Sequence, residues 1–453
     1  MQDDNPLHRE HWLGCFDPRP LALVRIALGA TLLFDLIERA PDVPDWFSER
    51  GVLPLASLKG PPLSIFALSD RPEVVMVLFG AGFLATAAFL LGYRTRLATC
   101  ATWLFFVSLY QRNSLCDDGA DTVARVLLFF GMFVNLGADW SLDRRAGRAA
   151  GGAVQALPVR LTQLVLAVFY LAVVRNKLRG GWLDGTVLHQ LLQVGGFTRP
   201  PAAFLLAHPS LCASLNHATW ILELAIPVLA FVPWRIKGSR IACLCSWLAL
   251  QVGIAVFVRP GLHQLVMVAA ALLWVPPGWL RRREAGPSIA RSTHPLLLVV
   301  ASVQAALCIS FALAARRLPG WTGHELNTLG LNLPTDLFSR PLPAVRWTAP
   351  GTLSDGTTVD VLEVARPELQ ATSPWFSTRW FKFTYRDDAI RWPALGQYLC
   401  RRWSSRSAGH PALREFTLLR ESWDPAPPGH PRGPPRVGEL LHQTCASVKT
   451  RAE

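Results

Sequence analysis

The stretch Leu161-Thr-Gln-Leu-Val-Leu-Ala-Val-Phe-Tyr-Leu-Ala-Val-Val174, continued by Arg-Asn-Lys177-Leu-Arg-Gly-Gly-Trp182-Leu-Asp184-Gly185, decides the fold class. Residues 161–174 carry no charge, and with their flanks they approach the roughly 20 residues that span a bilayer. An ammonium at the boundary of such a span is expensive to hold, so Lys177 is a candidate functional group. A lysine flanking a span also commonly snorkels its ammonium to the headgroups. Position alone fits either reading.

The rest of the chain repeats the apolar pattern. Of its 453 residues, 51% are hydrophobic and 17% charged, with a mean hydropathy of +0.27. Soluble domains are nearer one-quarter charged. Apolar runs near residues 21–37, 74–92, 97–110, 123–137, 161–174, 218–232, 241–258, 262–280 and 296–315 read as spans. The expected fold is an all-α polytopic membrane bundle of about nine transmembrane helices, followed by a small exterior α+β domain. The first run does not read as a cleaved signal, because Asp3 and Asp4 precede it and no small-residue site closes it.

The net charge of +13 does not point to nucleic acid, since no reading motif accompanies it. Basic residues fall in alternate loops instead: Arg94 and Arg96; Arg144, Arg145 and Arg148; Arg235, Lys237 and Arg240; Arg281, Arg282, Arg283 and Arg291. By the positive-inside rule this predicts a cell-membrane protein with a cytoplasmic N-terminus and an exterior C-terminal domain. The domain plan is a cytoplasmic lead (1–20), the transmembrane domain (21–315), an exterior α+β domain (316–424) and a flexible tail rich in Pro and Gly (425–453). In the exterior domain, residues 344–353 and 357–364 alternate around Ser354-Asp355-Gly356 as a hairpin would. Residues 381–385 and 416–419 read as further strands, and 392–403 as a helix. The loop 38–73, with Pro41, Pro44, Pro54, Pro61 and Pro62, is long enough to fold as a lid or re-entrant piece.

Polar residues inside spans narrow the candidates. Arg25 and Asp35 lie in the first run. Asp121 and Arg125 are four residues apart, acid first, which predicts a structural ion pair on one helix face. Glu223 precedes Pro227, which would kink its helix. Gln251 lies in the seventh run and His263 opens the eighth. No pair of histidines has helical metal-ligand spacing, so no metal site is expected. Of the nine cysteines most lie in or beside apolar segments, while Cys400 and Cys445 share the exterior region, where oxidation could pair them.

Several motifs in these positions resemble the vitamin K-dependent gamma-carboxylase family and its bacterial relatives, the HTTM-domain membrane proteins. They are Leu23-Val-Arg-Ile-Ala-Leu-Gly29 with Asp35, Leu91-Gly-Tyr-Arg-Thr-Arg96, Arg112-Asn113 with Gly119 and Asp121, the Arg125 helix, and Trp140-Ser-Leu-Asp143. The fullest is 170–185, with Lys177, Trp182, Asp184 and Gly185. The resemblance covers about residues 15–280, and Thr352–Gly356, Val359-Asp360 and Tyr398-Leu-Cys400 look like the exterior region of bacterial members. It implies a carboxylase-like, lyase-type enzyme in which Lys177 is the base that deprotonates reduced vitamin K. A peptide or protein substrate on the exterior side is implied with it. Where the carboxylases carry two histidines this chain has Arg112-Asn113-Ser114 and Gln251, groups that do not exchange protons near neutral pH.

Two readings follow. In one, Lys177 is a base acting on a quinone-like or other hydrophobic cosubstrate, in a pocket with Arg112, Asn113, Trp182, Asp184, Gln251 and His263. In the other, the chain is a non-enzymatic membrane factor for export, maturation or immunity on the same scaffold.

Overall fold

A computed structural model describes residues 5–58, 62–117, 119–194, 198–259, 261–280, 294–314, 318–365, 379–385, 391–406 and 411–445. Among the described residues the main helices of the apolar part are α1 (Pro18–Arg39), α2 (Pro72–Leu91), α3 (Thr95–Arg112), α4 (Gly119–Gly131), α5 (Leu157–Arg179), α6 (Pro209–Phe231), α7 (Ile236–Phe257), α8 (His263–Ala271) and α9 (Pro295–Ala314). Six are long and apolar enough to cross a membrane: α1 with its continuation to Phe47, α2, α5, α6, α7 and α9. The other three expected spans fall on α3, α4 and α8, which are shorter or more polar.

The reason is visible in the packing. Every residue of α4 is buried, and α8 packs on α1, α4 and α7. Helices enclosed by protein need neither full bilayer length nor an apolar surface, because their polar groups meet partners rather than hydrocarbon. The outer helices show the converse, with Val77, Leu84, Ile221, Val252 and Val299 exposed. A surface of that kind suits lipid rather than water.

Two ends can be distinguished. At one, the antiparallel pair of β1 (Cys15–Phe16) and β2 (Val154–Gln155) lies near the turns that join α2 to α3 and α4 to α5. At the other, the segment 40–71 folds into short helical turns, as its length and prolines predict. The C-terminal region packs on it through ion pairs from Arg379 to Asp42 (3.3 Å) and from Arg402 to Asp45 (2.8 Å).

That region is a small antiparallel sheet with helices. Its strands are β3 (Ala344–Thr348), β4 (Pro350–Leu353), β5 (Thr358–Asp360), β6 (Leu413–Trp423) and β7 (Arg436–Thr444), in the order β3-β6-β4-β5 with β7 also on β6. The hairpin at Ser354–Gly356 forms as expected, with β4 against β5. Helix α10 (Val361–Ala365) takes over where a longer strand was predicted, since the Asp360 carboxylate accepts from the Leu362 N–H and starts a helix. Residues 381–385, expected as a strand, lie in helix α11 (Arg379–Tyr385), which stacks Trp380 on Phe383 and turns both toward Trp347. Their spacing of three suits a helix face, and packing overrides the strand propensity of the aromatics. Trp392–Arg406 is helix α12. The expected flexible tail is corrected in part: β7 pairs along β6, and a Cys400–Cys445 disulfide ties its end to α12. Residues 446–453 and the arginines at 281–283 and 291 lie outside the described residues.

Candidate functional site

Lys177 is buried in the last turns of α5. Two glycines then reverse the chain. Gly180 passes so close to the segment 335–340 that an added Cβ would lie 1.7 Å from the Ser339 carbonyl oxygen, and Gly181 takes φ +95°. Only glycine accepts both conditions without strain. The reversal brings the Trp182 ring under the ammonium, 4.4 Å from Lys177 Nζ to the ring centroid. The indole is fixed by donating Nε1–H to the Phe338 carbonyl (2.9 Å).

The partner of Lys177 comes from α6. Nζ donates to Glu223 Oε1 at 2.5 Å, and both side chains are almost wholly buried. Pro227 lies inside α6, and its missing N–H frees the Glu223 carbonyl from the helix ladder. The helix nevertheless stays continuous from Pro209 to Phe231.

The pair lines a cavity of about 190 Å³, walled mainly by apolar residues of α5, α6 and α7, with Leu337 and Phe338 from the C-terminal region. Gln251 and His263 line it too, as does Tyr170. Tyr170 Oη, Glu223 Oε2 and the Gln251 amide are buried against it, with Tyr170 and Gln251 close to each other. Leaving a buried polar atom unpaired costs about 1–3 kcal/mol, so polar atoms turned to one apolar space suit a ligand bearing oxygens. A buried amine and carboxylate sharing one proton can exist as an ion pair or as a neutral pair, which makes the couple both donor and acceptor.

Of the residues expected around Lys177, the structure assembles Trp182, Gln251 and His263. Arg112 and Asn113 are elsewhere. Arg112 donates to the carbonyls of Leu53 (2.6 Å) and Ser48 (2.8 Å) and pairs with Glu49, while Asn113 donates to the Trp46 carbonyl. Both therefore clamp the segment 40–71. Asp184 is exposed beyond the glycine turn and does not line the cavity. The Asp121–Arg125 pair is also corrected. Arg125 forks onto Asp117 (2.7 and 2.8 Å) and donates to the Gly330 carbonyl, whereas Asp121 accepts from Arg39, which Asp35 holds as well. On a fully buried helix with charged neighbours on every side, sequence spacing does not choose the partner.

Sequence reasoning missed Glu223 and Tyr170 as parts of the site. The signal for Glu223 was present, since an acid inside a span requires a partner. Lys177 is 46 positions away, so nothing local named it.

Other motifs gather at the opposite end. Arg25 donates to the carbonyls of Leu136 (3.2 Å) and Trp140 (2.5 Å). Asp143 accepts from the Arg94 and Thr95 N–H groups and from the Thr95 hydroxyl, and pairs with Arg148. Burial pushes the Asp143 carboxyl up, but these bonds from Thr95, Arg148 and Arg94 outweigh it and hold it down at about 2. This is a structural knot rather than a reaction centre. Among the described residues no group of three or more His, Cys, Asp or Glu gathers as a metal site would.

Residues 15–279 match the HTTM domain family. No curated protein matches the chain, and no solved structure does.

Proposed function

The chain belongs to the HTTM domain family of membrane proteins, and on that premise we propose that it is an integral membrane enzyme with Lys177 as its base. One observation carries the reading: Lys177 Nζ donates to Glu223 Oε1 at 2.5 Å inside a small apolar cavity that also buries polar atoms of Tyr170 and Gln251.

The family resemblance implies a reduced quinone of the vitamin K type, and the residues present fit its ring. A cavity of about 190 Å³ is smaller than the roughly 300–1,000 Å³ of drug-sized sites, so it suits a ring head group whose tail leaves between the helices. Trp182 and Tyr170 offer aromatic faces, and Gln251 can donate to one ring oxygen or accept from its hydroxyl. When bound, a quinol would supply an acidic hydroxyl and two electrons for reaction with oxygen.

The protein's own part is proton handling. With the shared proton on Glu223, Lys177 Nζ is a free amine able to accept the hydroxyl proton. The apolar wall excludes water, which would otherwise solvate the charges that this transfer separates. Gln251 orients and does not exchange protons.

Oxygen uptake driven by reduced menadione, above the protein-free rate, is the assay. Wild-type protein is expected to show it. Lys177→Ala should lower it at least about 100-fold, the lower range for loss of a general base. Lys177→Arg should lower it likewise, because a guanidinium stays protonated. Full activity in the arginine variant would show that a positive charge suffices and would end the base assignment. No uptake in wild type, with no menadione binding, would favour the non-enzymatic membrane factor.

A further inference from the structure

A second cavity, of about 800 Å³, lies beyond the segment 335–340 from the Lys177 pocket. Leu337 and Phe338 face the first cavity, and Thr335, Asp336, Ser339 and Arg340 line the second. Its remaining wall is the end of α5, with Arg175, Asn176 and Arg179, and the apolar last turn of α9 from Phe311 to Ala314.

The charges in this wall are not spent on one another. Arg175 donates to the carbonyls of Leu313 (2.6 Å) and Ala312 (3.2 Å), which caps α9, and its buried Nε has no hydrogen-bond partner among the described residues. Arg179 and Arg340 are exposed, and among the described residues neither makes an ion pair or a side-chain hydrogen bond. Against these three arginines the described residues of the wall present one acid, Asp336.

We propose that this cavity binds the phosphate of an anionic phospholipid, with the acyl chains lying along the end of α9. Guanidinium forks match phosphate oxygens in pairs. The Asn176 amide is committed to Thr335, which it holds through the carbonyl (2.9 Å). What favours a lipid over free phosphate is the apolar wall: α9 is one of the six helices able to cross a membrane, and the arginines stand at its very end. A headgroup phosphate lies at that depth, with its chains beside the helix. The site is separate from the base and does not depend on the reaction proposed for Lys177.

The test uses the full-length protein in detergent, titrated with short-chain phosphatidylglycerol, short-chain phosphatidylcholine or inorganic phosphate, and read as a dissociation constant. Phosphatidylglycerol should bind tightest. Arg179→Ser with Arg340→Ser should weaken it at least about tenfold, given the usual contribution of each basic residue at a membrane surface. Both positions are exposed, so the thermal unfolding of the double variant should match wild type. Arg175 is left in place because it caps α9. Equal binding by wild type and the double variant would overturn the proposal, as would phosphatidylcholine binding as tightly. Binding of inorganic phosphate without phosphatidylglycerol would replace the lipid with a soluble anion and would overturn it too.

Discussion

At the scale of single residues, buried charge decides the layout. Arg39 joins Asp35 and Asp121, Arg125 joins Asp117, and Lys177 joins Glu223, all in surroundings that water barely reaches. Removing one member of a buried pair typically costs about 3–5 kcal/mol, because the other charge is stranded. These geometries predict a definite order of couplings. In double-mutant cycles with alanine, read from unfolding in detergent, Asp117 with Arg125 should couple by more than about 1 kcal/mol, as contacting charges do. Asp121 should couple more strongly to Arg39 than to Arg125. A larger coupling between Asp121 and Arg125 would restore the helix-face pair that their spacing suggested. The spacing misled because i, i+4 geometry selects partners only when no better one packs against the same face. Lys177 was legible for a different reason: an ammonium at the end of an apolar run stands out in any window. Its carboxylate partner was not, because a contact across 46 positions leaves no periodic trace.

At the scale of elements, several of the motifs that carry the family resemblance gather at two places. Leu23–Gly29, Leu91–Arg96 and Trp140–Asp143 meet at one end through Arg25 and Asp143, and the 170–185 motif builds the cavity at the other. Asp143 acts as a cap for α3, taking two backbone N–H groups where the helix begins. Its carboxyl is held at about 2 in the fold, below the ordinary aspartate value near 3.8. A group depressed in this way stabilises the fold fully above its unfolded value and loses that contribution as pH falls through the folded value. The knot should therefore hold at pH 5 and weaken between roughly pH 4 and pH 2. Asp143→Asn should remove that acid sensitivity and lower stability by about 1–3 kcal/mol at neutral pH, as loss of several bonds to a buried group does. Unfolding curves of both proteins from pH 7 to pH 2.5 would show it, and an unchanged acid limb in the asparagine variant would rule out the cap as its source. Long apolar elements were readable because hydrocarbon imposes length and composition directly. The α11 segment was not, because contacts brought from elsewhere in the chain, among them Trp347, Trp46 and Asp42, hold those residues as a helix.

At the scale of the whole molecule, the two ends differ in their short helix-joining turns and in their chemistry. The turns at the Asp143 end carry Arg94, Arg96, Arg144, Arg145 and Arg148, and the α6–α7 turn adds Arg235 and Lys237. Basic turns of this kind stay on the cytoplasmic side. The opposite end carries the C-terminal sheet, where Cys400 and Cys445 form a disulfide that closes a loop of 45 positions. Disulfides persist in oxidising compartments, so charge and sulfur lead to one prediction, that the N-terminus is in the cytoplasm and the C-terminal region outside. In the chain-entropy account a loop of that size is worth about 4 kcal/mol, enough to decide whether β7 stays on the sheet. Two measurements check this together. A C-terminal reporter active only outside the cytoplasm should be active, and a maleimide tag should reach Cys400 and Cys445 only after reduction. Cys400→Ser should then free β7 to proteolysis while leaving the helices α1–α9 assembled, since the cross-link touches only α12 and the end of β7. A reporter active only in the cytoplasm, with both thiols labelled without reductant, would invert the orientation and place the Lys177 cavity at the cytoplasmic end of the bundle.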